Sequence, residues 1–211
     1  MIAAQTPPAA EVRFLALGDS YTIGESVAEG ERWPMQLAAL LRARGIAVAT
    51  PTIVARTGWT TDELSAGIDA AHLSGSYDLV TLLIGVNNQY RGRSADEFRD
   101  QLRALVRRAV GFAGGSASHV IVVAIPDWGV TPFANGRDRA KIAREIEQFN
   151  AINKDEAARA GAHYVDISPI ATRAANEPAL VAHDGLHPSG AMYAEWVQRI
   201  LPIAESVLKP R

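Results

Sequence analysis

A chain of 211 residues is long enough for one sizeable hydrophobic core and short for two ordinary domains. Its 48% hydrophobic and 21% charged residues exclude a disordered polymer, and a formal net charge of -2, with both signs interspersed, excludes the basic stripe that nucleic acid requires. The absence of cysteine excludes disulfides, thiolate nucleophiles and cysteine-bound zinc or iron–sulfur centres.

No apolar run is long enough to span a bilayer. Residues 1–11 are an Ala/Pro-rich lead without the charged and apolar regions of a signal peptide, followed by a single domain over 12–211. The sequence as given therefore reads as cytoplasmic, with secretion or a periplasmic location open if a signal has been removed. Oligomeric state is not legible in it.

Short apolar runs alternate with amphipathic stretches. Val12–Leu17 is the first predicted strand, ended by Gly18-Asp19-Ser20. Trp33–Arg44 carries apolar residues at helical spacing and is closed by Gly45. Ile46–Val54 is a weaker strand, in which Pro51 points to an edge or an irregularity. Thr60 or Thr61 caps a helix through Leu64 and Ile68, and Leu79–Ile84 is the clearest buried strand. Ser94-Ala95-Asp96-Glu97 has the form of a capping box and opens a helix with Phe98, Leu102, Leu105, Val106 and Ala109 on one face. Val120–Ile125 is a fourth strand, Arg137–Ala160 a long helix and Tyr164–Ile167 a short fifth strand. A last helix follows Ser189, with a kink or break expected at Pro202.

Strands separated by helices call for parallel pairing through right-handed crossovers, hence an open five-stranded sheet with helices on both faces. Ligands of such sheets bind outside the carboxyl ends of the strands. Those ends carry Gly18-Asp19-Ser20, Arg56-Thr57-Gly58-Trp59, Gly85-Val86-Asn87-Asn88 and Pro126-Asp127-Trp128-Gly129, and the loop before the last helix reads His183-Asp184-Gly185-Leu186-His187-Pro188.

A serine hydroxyl needs a neighbouring base to become a nucleophile. His187 can serve if a carboxylate holds its other ring nitrogen, and Asp184 stands three residues earlier. The oxyanion that follows needs donors placed in advance, for which backbone amides of glycine-containing turns and the Asn87 side chain are suited. His183, Asp184 and His187 are also three ligand-type residues, but no second cluster completes a site, so no metal and no cofactor is assigned. His72, His119 and His163 are read as surface residues, and Trp33, Phe149 and Trp196 as packing. Trp59, Tyr90, Trp128 and Phe133 lie in loops near the strand ends and are candidate walls of a substrate pocket.

In this arrangement the chain resembles the SGNH/GDSL hydrolases. Gly18-Asp19-Ser20 is similar to the first block of that family, Gly58 to its second-block glycine, Gly85-x-Asn87 to its third block and Asp184-x-x-His187 to its fifth, in order from about Phe14 to the final helix. The resemblance implies a three-layer flavodoxin-like α/β fold and cofactor-free ester hydrolysis through an acyl-enzyme. It also implies roles: Ser20 as nucleophile, His187 as base and then acid, Asp184 as its orienter. The amides of Ser20, Gly58 and Asn87 would form the oxyanion hole. The third block commonly reads Gly-x-Asn-Asp, whereas Asn88 stands here in place of that aspartate. The implied partner is a small-molecule ester, short-acyl on a small or carbohydrate alcohol. Lysophospholipids and acyl thioesters are the alternatives within the same chemistry. A non-catalytic flavodoxin-like nucleotide or flavin module is the rival class; against it, neither a Walker-type nor a Gly-x-Gly-x-x-Gly phosphate loop occurs. A non-catalytic carbohydrate-binding relative would require an unreactive Ser20.

Overall fold

The computed structural model describes residues 11–209, so the lead of residues 1–11 lies, apart from Glu11, outside the described residues. Five strands form one parallel sheet: Phe14–Gly18 (β1), Thr52–Ala55 (β2), Leu79–Leu83 (β3), Val120–Val123 (β4) and His163–Val165 (β5), in the order β2-β1-β3-β4-β5. The helices are Ser20–Ile23 (α1), Trp33–Ala43 (α2), Thr61–Ala70 (α3), Val86–Tyr90 (α4), Ala95–Phe112 (α5), Arg139–Ala160 (α6), Ser168–Ala171 (α7) and Gly190–Leu208 (α8).

Every residue of β1, β3 and β4 is buried, as expected of strands covered on both faces. The chain first steps outward from β1 to β2, then returns past β1 and moves the other way through β3, β4 and β5. Right-handed crossovers in opposite directions put their helices on opposite faces. Accordingly α2 packs with α8, and α5 packs with α3 and α6. The apolar stripe of α5 is buried through Phe98, Leu102, Leu105, Val106 and Ala109, and Phe98 stacks on Phe149 of α6 at 4.4 Å between ring centroids. Trp33 and Trp196 are fully buried.

The reversal of direction makes the β1/β3 boundary a topological switch point. Register then decides what meets there. Gly18 pairs with Ala55 on one side and Leu83 on the other, so the segments after β1, β2 and β3 emerge at one level. Gly18 has to be glycine: a Cβ there would lie 2.2 Å from Thr22 Oγ1 and 2.5 Å from the Leu83 carbonyl oxygen. The missing side chain lets α1 fold back directly onto the strand end.

Four expectations are corrected. Of Ile46–Val54 only the segment from Thr52 is strand; Val48 makes an isolated parallel bridge with Val12, and Pro51, lacking an N–H, stands between the two. The fifth strand is His163–Val165, because Asp166 turns to accept the Ser168 N–H at 2.9 Å. Ser94 caps α5 by accepting from the Glu97 N–H, but the Glu97 carboxylate pairs with Arg93 and Gln101, so the reciprocal half of the box is absent. Pro202 does not break its helix, which runs from Gly190 to Leu208.

Candidate active site

Asp19 caps the short helix that carries Ser20, its Oδ1 accepting the Tyr21 N–H at 3.0 Å. Ser20 is thereby fixed on the first turn after β1, 5% exposed. The second Asp19 oxygen is buried with no hydrogen-bond partner among the described residues. Burial in this dry position pushes the Asp19 carboxyl up to about 8, against lowering hydrogen bonds from the Tyr21 and Asp19 backbone. Burial, reinforced by the charges of Asp19, Asp184 and Asp127, likewise raises the Tyr21 phenol, which stays protonated.

The loop before α8 forms a closed unit around Asp184. Its Oδ1 accepts the backbone N–H groups of Leu186 (2.9 Å) and His187 (3.0 Å), and its Oδ2 accepts the His187 ring Nδ1–H at 2.6 Å. Burial alone would raise the Asp184 carboxyl; the hydrogen bonds from His187, Ser26 and these amides outweigh it and hold the group well below the usual carboxylate range. A carboxylate on Nδ1 sets the tautomer, leaving the Nε2 lone pair as the acceptor. The imidazole is 7% exposed and packs against the Tyr21 ring at 5.4 Å.

Gly58 follows β2 with φ +84, a left-handed conformation that glycine adopts without strain. Neither its N–H nor that of Ser20 has a backbone acceptor among the described residues. The Asn87 Nδ2 group donates to the Trp59 carbonyl at 3.0 Å, and Arg91 Nη2 donates to the Gly58 carbonyl at 2.7 Å, so α4 and its C-cap hold the loop after β2 by two points. An amide nitrogen carries two hydrogens. The Asn87 bond to Trp59 uses one of them, and the Asn87 side-chain amide makes no second bond among the described residues.

Ser20, Gly58, Asn87 and His187 line one cleft of about 170 Å³. No hydrogen bond joins the Ser20 hydroxyl to the imidazole in this resting arrangement, although both groups face the same space. Such contacts tighten when substrate binds. Tyr90, Trp128 and Phe133 form the outer wall as a mutually packed triad with centroid separations of 5.4, 6.3 and 5.9 Å. Tyr90 and Phe133 are 46% and 40% exposed, whereas Trp128 is buried and donates its indole N–H to Gln89 at 2.8 Å.

Trp59 is not brought to the cleft. Its ring lies across Gly67 of α3, within 2.1 Å of where a Cβ of that residue would stand. His183 faces a separate cavity beside Pro132 and Arg139. Tyr21, Thr57, Val86 and Leu186 complete the cleft lining and were not singled out from sequence, although each adjoins a motif residue. Arg137, also missed, lies over the rings of Tyr90, Trp128 and Phe133 at 5.2, 5.3 and 5.1 Å. Among the described residues no group of three His, Asp or Glu side chains is placed to hold a metal ion, and no helix is long and apolar enough to cross a membrane.

A 2-1-3-4-5 parallel sheet with a Gly-Asp-Ser turn at its switch point is the architecture of the SGNH/GDSL hydrolases, and the chain is a carboxylic ester hydrolase of that class. It belongs to the GDSL-like lipase/acylhydrolase family, whose model matches residues 16–195.

Solved structures share the fold at low identity. The lipase/acylhydrolase from Enterococcus faecalis has a TM-score of 0.73 at 19% identity, covering 95% of this chain and 98% of that one. A variant of the acetyl xylan esterase Axe2 from Geobacillus stearothermophilus has 0.72 at 20%, covering 95% and 97%. The psychrotrophic esterase EstA from Pseudoalteromonas sp. has 0.71 at 17%, covering 93% and 98%. No curated protein matches the chain in sequence.

Proposed function

We propose that the protein hydrolyses short-acyl, acetyl-type esters of a small or carbohydrate alcohol through an acyl-enzyme on Ser20. The observation that carries this reading is the convergence on one cleft of Ser20, Gly58 and Asn87, from the ends of β1, β2 and β3, with His187 from the loop before α8.

In the proposed reaction His187 Nε2 takes the Ser20 proton as Oγ bonds to the ester carbonyl carbon, and the carbonyl π pair moves onto oxygen. The Ser20 and Gly58 N–H groups and the free Asn87 N–H receive that oxyanion. Asp184 stays ionised and supports the imidazolium. Collapse of the intermediate breaks the bond to the alcohol oxygen, which takes the proton from His187. Water, deprotonated by His187, then attacks the acyl carbon, releases the carboxylic acid and restores Ser20.

Cleft size favours a short acyl group. At about 170 Å³ the space falls well below the roughly 300–1,000 Å³ of ordinary small-molecule pockets. The two exposed aromatic side chains in its lining, Tyr90 and Phe133, suit a sugar or aryl leaving group. The acetyl xylan esterase among the structural neighbours is consistent with such a substrate but, at 20% identity, carries no more than the fold.

The test is a panel of aryl esters from acetate to dodecanoate, assayed with the parent protein and Ser20→Ala, with an organophosphate label located by mass spectrometry. Turnover is expected to peak at the shortest acyl groups and to vanish in Ser20→Ala, and the label to sit on Ser20. A maximum at long chains would replace the short-acyl reading by a lipid one. Labelling elsewhere, or undiminished turnover in Ser20→Ala, would reject the mechanism.

A further inference from the structure

We propose that Ser26 is a positioning residue for the Asp184–His187 pair, its hydroxyl locking the carboxylate to the segment that carries the nucleophile. This rests on the reading just given, in which that pair activates Ser20.

The Ser26 hydroxyl donates to Asp184 Oδ2 at 2.7 Å, the same oxygen that accepts the His187 ring N–H at 2.6 Å. The other donors to Asp184 are Leu186 N, His187 N and the His187 ring, all within its own loop, so they travel with the carboxylate if the loop shifts. Ser26 is different: it lies just beyond α1, the helix that Ser20 opens, and is separated from Asp184 by 158 positions in the chain. Among the described residues it makes the one hydrogen bond between the segment 20–27 and the loop 182–188. Beside the packing of His187 on Tyr21, this hydroxyl therefore makes the hydrogen bond that orients the carboxylate relative to Ser20.

Backbone geometry supports the assignment independently. Ser26 has φ +66, and among the described residues only His72 shares a positive φ without being glycine. Glycine would adopt that conformation without cost, so a serine here keeps a strained backbone together with a hydroxyl placed on a functional carboxylate. The preceding residue makes the companion contact: the Glu25 carboxylate accepts the hydroxyl of Thr57, next to Gly58. Consecutive residues thus reach the base loop on one side and the glycine donor on the other. The added hydrogen bond also helps keep Asp184 ionised.

Ser26→Gly separates positioning from stability, because it relaxes the backbone while deleting the hydroxyl. Expected is a fall in kcat of about tenfold with KM unchanged, the size of one lost hydrogen bond to a charged group. The thermal midpoint should hold or rise. Ser26→Thr, which keeps the hydroxyl but strains the turn further, should hold kcat near the parent value with a lower midpoint. A merely structural serine predicts an unchanged kcat in Ser26→Gly; kcat within twofold of the parent, or equal kcat losses in both variants, would overturn the proposal.

A second readout needs no turnover: the assigned His187 ring N–H proton, observed by NMR, should exchange with water several-fold faster in Ser26→Gly. Unchanged exchange would also overturn the proposal. Parent protein and Ser20→Ala are assayed alongside, so that absence of Ser20-dependent hydrolysis, which defeats the esterase reading, is told apart from failure of the Ser26 role.

Discussion

The side-chain amide of Asn87 donates to the backbone carbonyl of Trp59 at 3.0 Å, joining the exit of β3 to the loop that follows β2. The contact places the residue for two tasks at once. One N–H holds the Gly58-Trp59 loop in register, and in the proposed mechanism the other receives the oxyanion. Truncation to alanine removes both, whereas the Michaelis complex, which carries no full negative charge, loses little. Asn87→Ala should therefore lower kcat of an aryl acetate by about 10²–10³, or about 2.7–4 kcal/mol of barrier, with a small change in KM. Steady-state kinetics decides; a fall of less than about threefold would remove Asn87 from the proposed oxyanion hole.

Asn88, standing where the family commonly has aspartate, has a physical reason in its surroundings. It is fully buried, accepts the Thr61 N–H at 3.1 Å and donates to Thr61 Oγ1 at 2.7 Å, while that hydroxyl donates onward to Gln101. Aspartate can accept the amide but cannot donate to the hydroxyl. Thr61 would have to reverse its bond and leave the Gln101 oxygen unpaired, and Gln101 cannot turn over without losing its own bond to Glu97. Asn88→Asp should thus cost about 1–3 kcal/mol of stability by urea denaturation. Its kcat should stay close to the parent value, because Asn88 anchors α3 rather than lining the cleft. Unchanged stability would show that the network rearranges at no cost.

How much of this was legible in the sequence follows from burial. β1, β3 and β4 are covered on both faces, so they appear as unbroken apolar runs and were located within a residue or two. β2 is a half-buried edge strand, and Pro51 marked the edge in sequence without showing that regular pairing begins only at Thr52. Ser20, Gly58 and Asn87 could be proposed together because topology forces the ends of β1, β2 and β3 to a common rim, and His187 joined them through its spacing from Asp184 in the loop before α8. Trp59 adjoins the same rim but turns onto Gly67, since a loop side chain's direction depends on local dihedrals that sequence spacing does not encode. Ser26 gave no signal at all: its partner is 158 residues away, and a positive φ at serine leaves no mark in composition. Arg137 was hidden for the same reason, being defined by three rings that meet only after folding.

The outer wall of the cleft makes a separable prediction. Phe133 is 40% exposed and lines the cleft, with its backbone N–H donating to the Gly185 carbonyl at 3.0 Å. Removing the ring leaves that backbone contact intact. Phe133→Ala should raise KM for aryl or glycosyl acetates several-fold while kcat changes less than KM, since under the proposed function the ring would meet the leaving group rather than the reacting atoms. A similar loss with methyl acetate, which has no group to stack, would assign the ring to loop packing instead.

Asp19 supplies the pH-dependent prediction. Burial raises its carboxyl from an ordinary 3.8 to about 8, and its second oxygen has no partner among the described residues. Below the lower value both folded and unfolded chains hold the proton, and the group's contribution to stability is fully present. Between the two values the unfolded chain has released the proton while the folded chain keeps it, so each rise in pH favours unfolding. The contribution is lost by the time pH passes the folded-state value. Asn mimics the protonated acid, accepting the Tyr21 N–H through Oδ1 while carrying no charge at any pH. Thermal midpoints of the parent and Asp19→Asn, measured from about pH 5 to about pH 8.5, should therefore diverge, with the variant increasingly the more stable as pH rises. Other titrating groups contribute equally to both curves and cancel in the difference. Two parallel curves would mean that Asp19 ionises in the folded protein as it does in the unfolded one, and that the turn beneath Ser20 holds a carboxylate rather than a neutral acid.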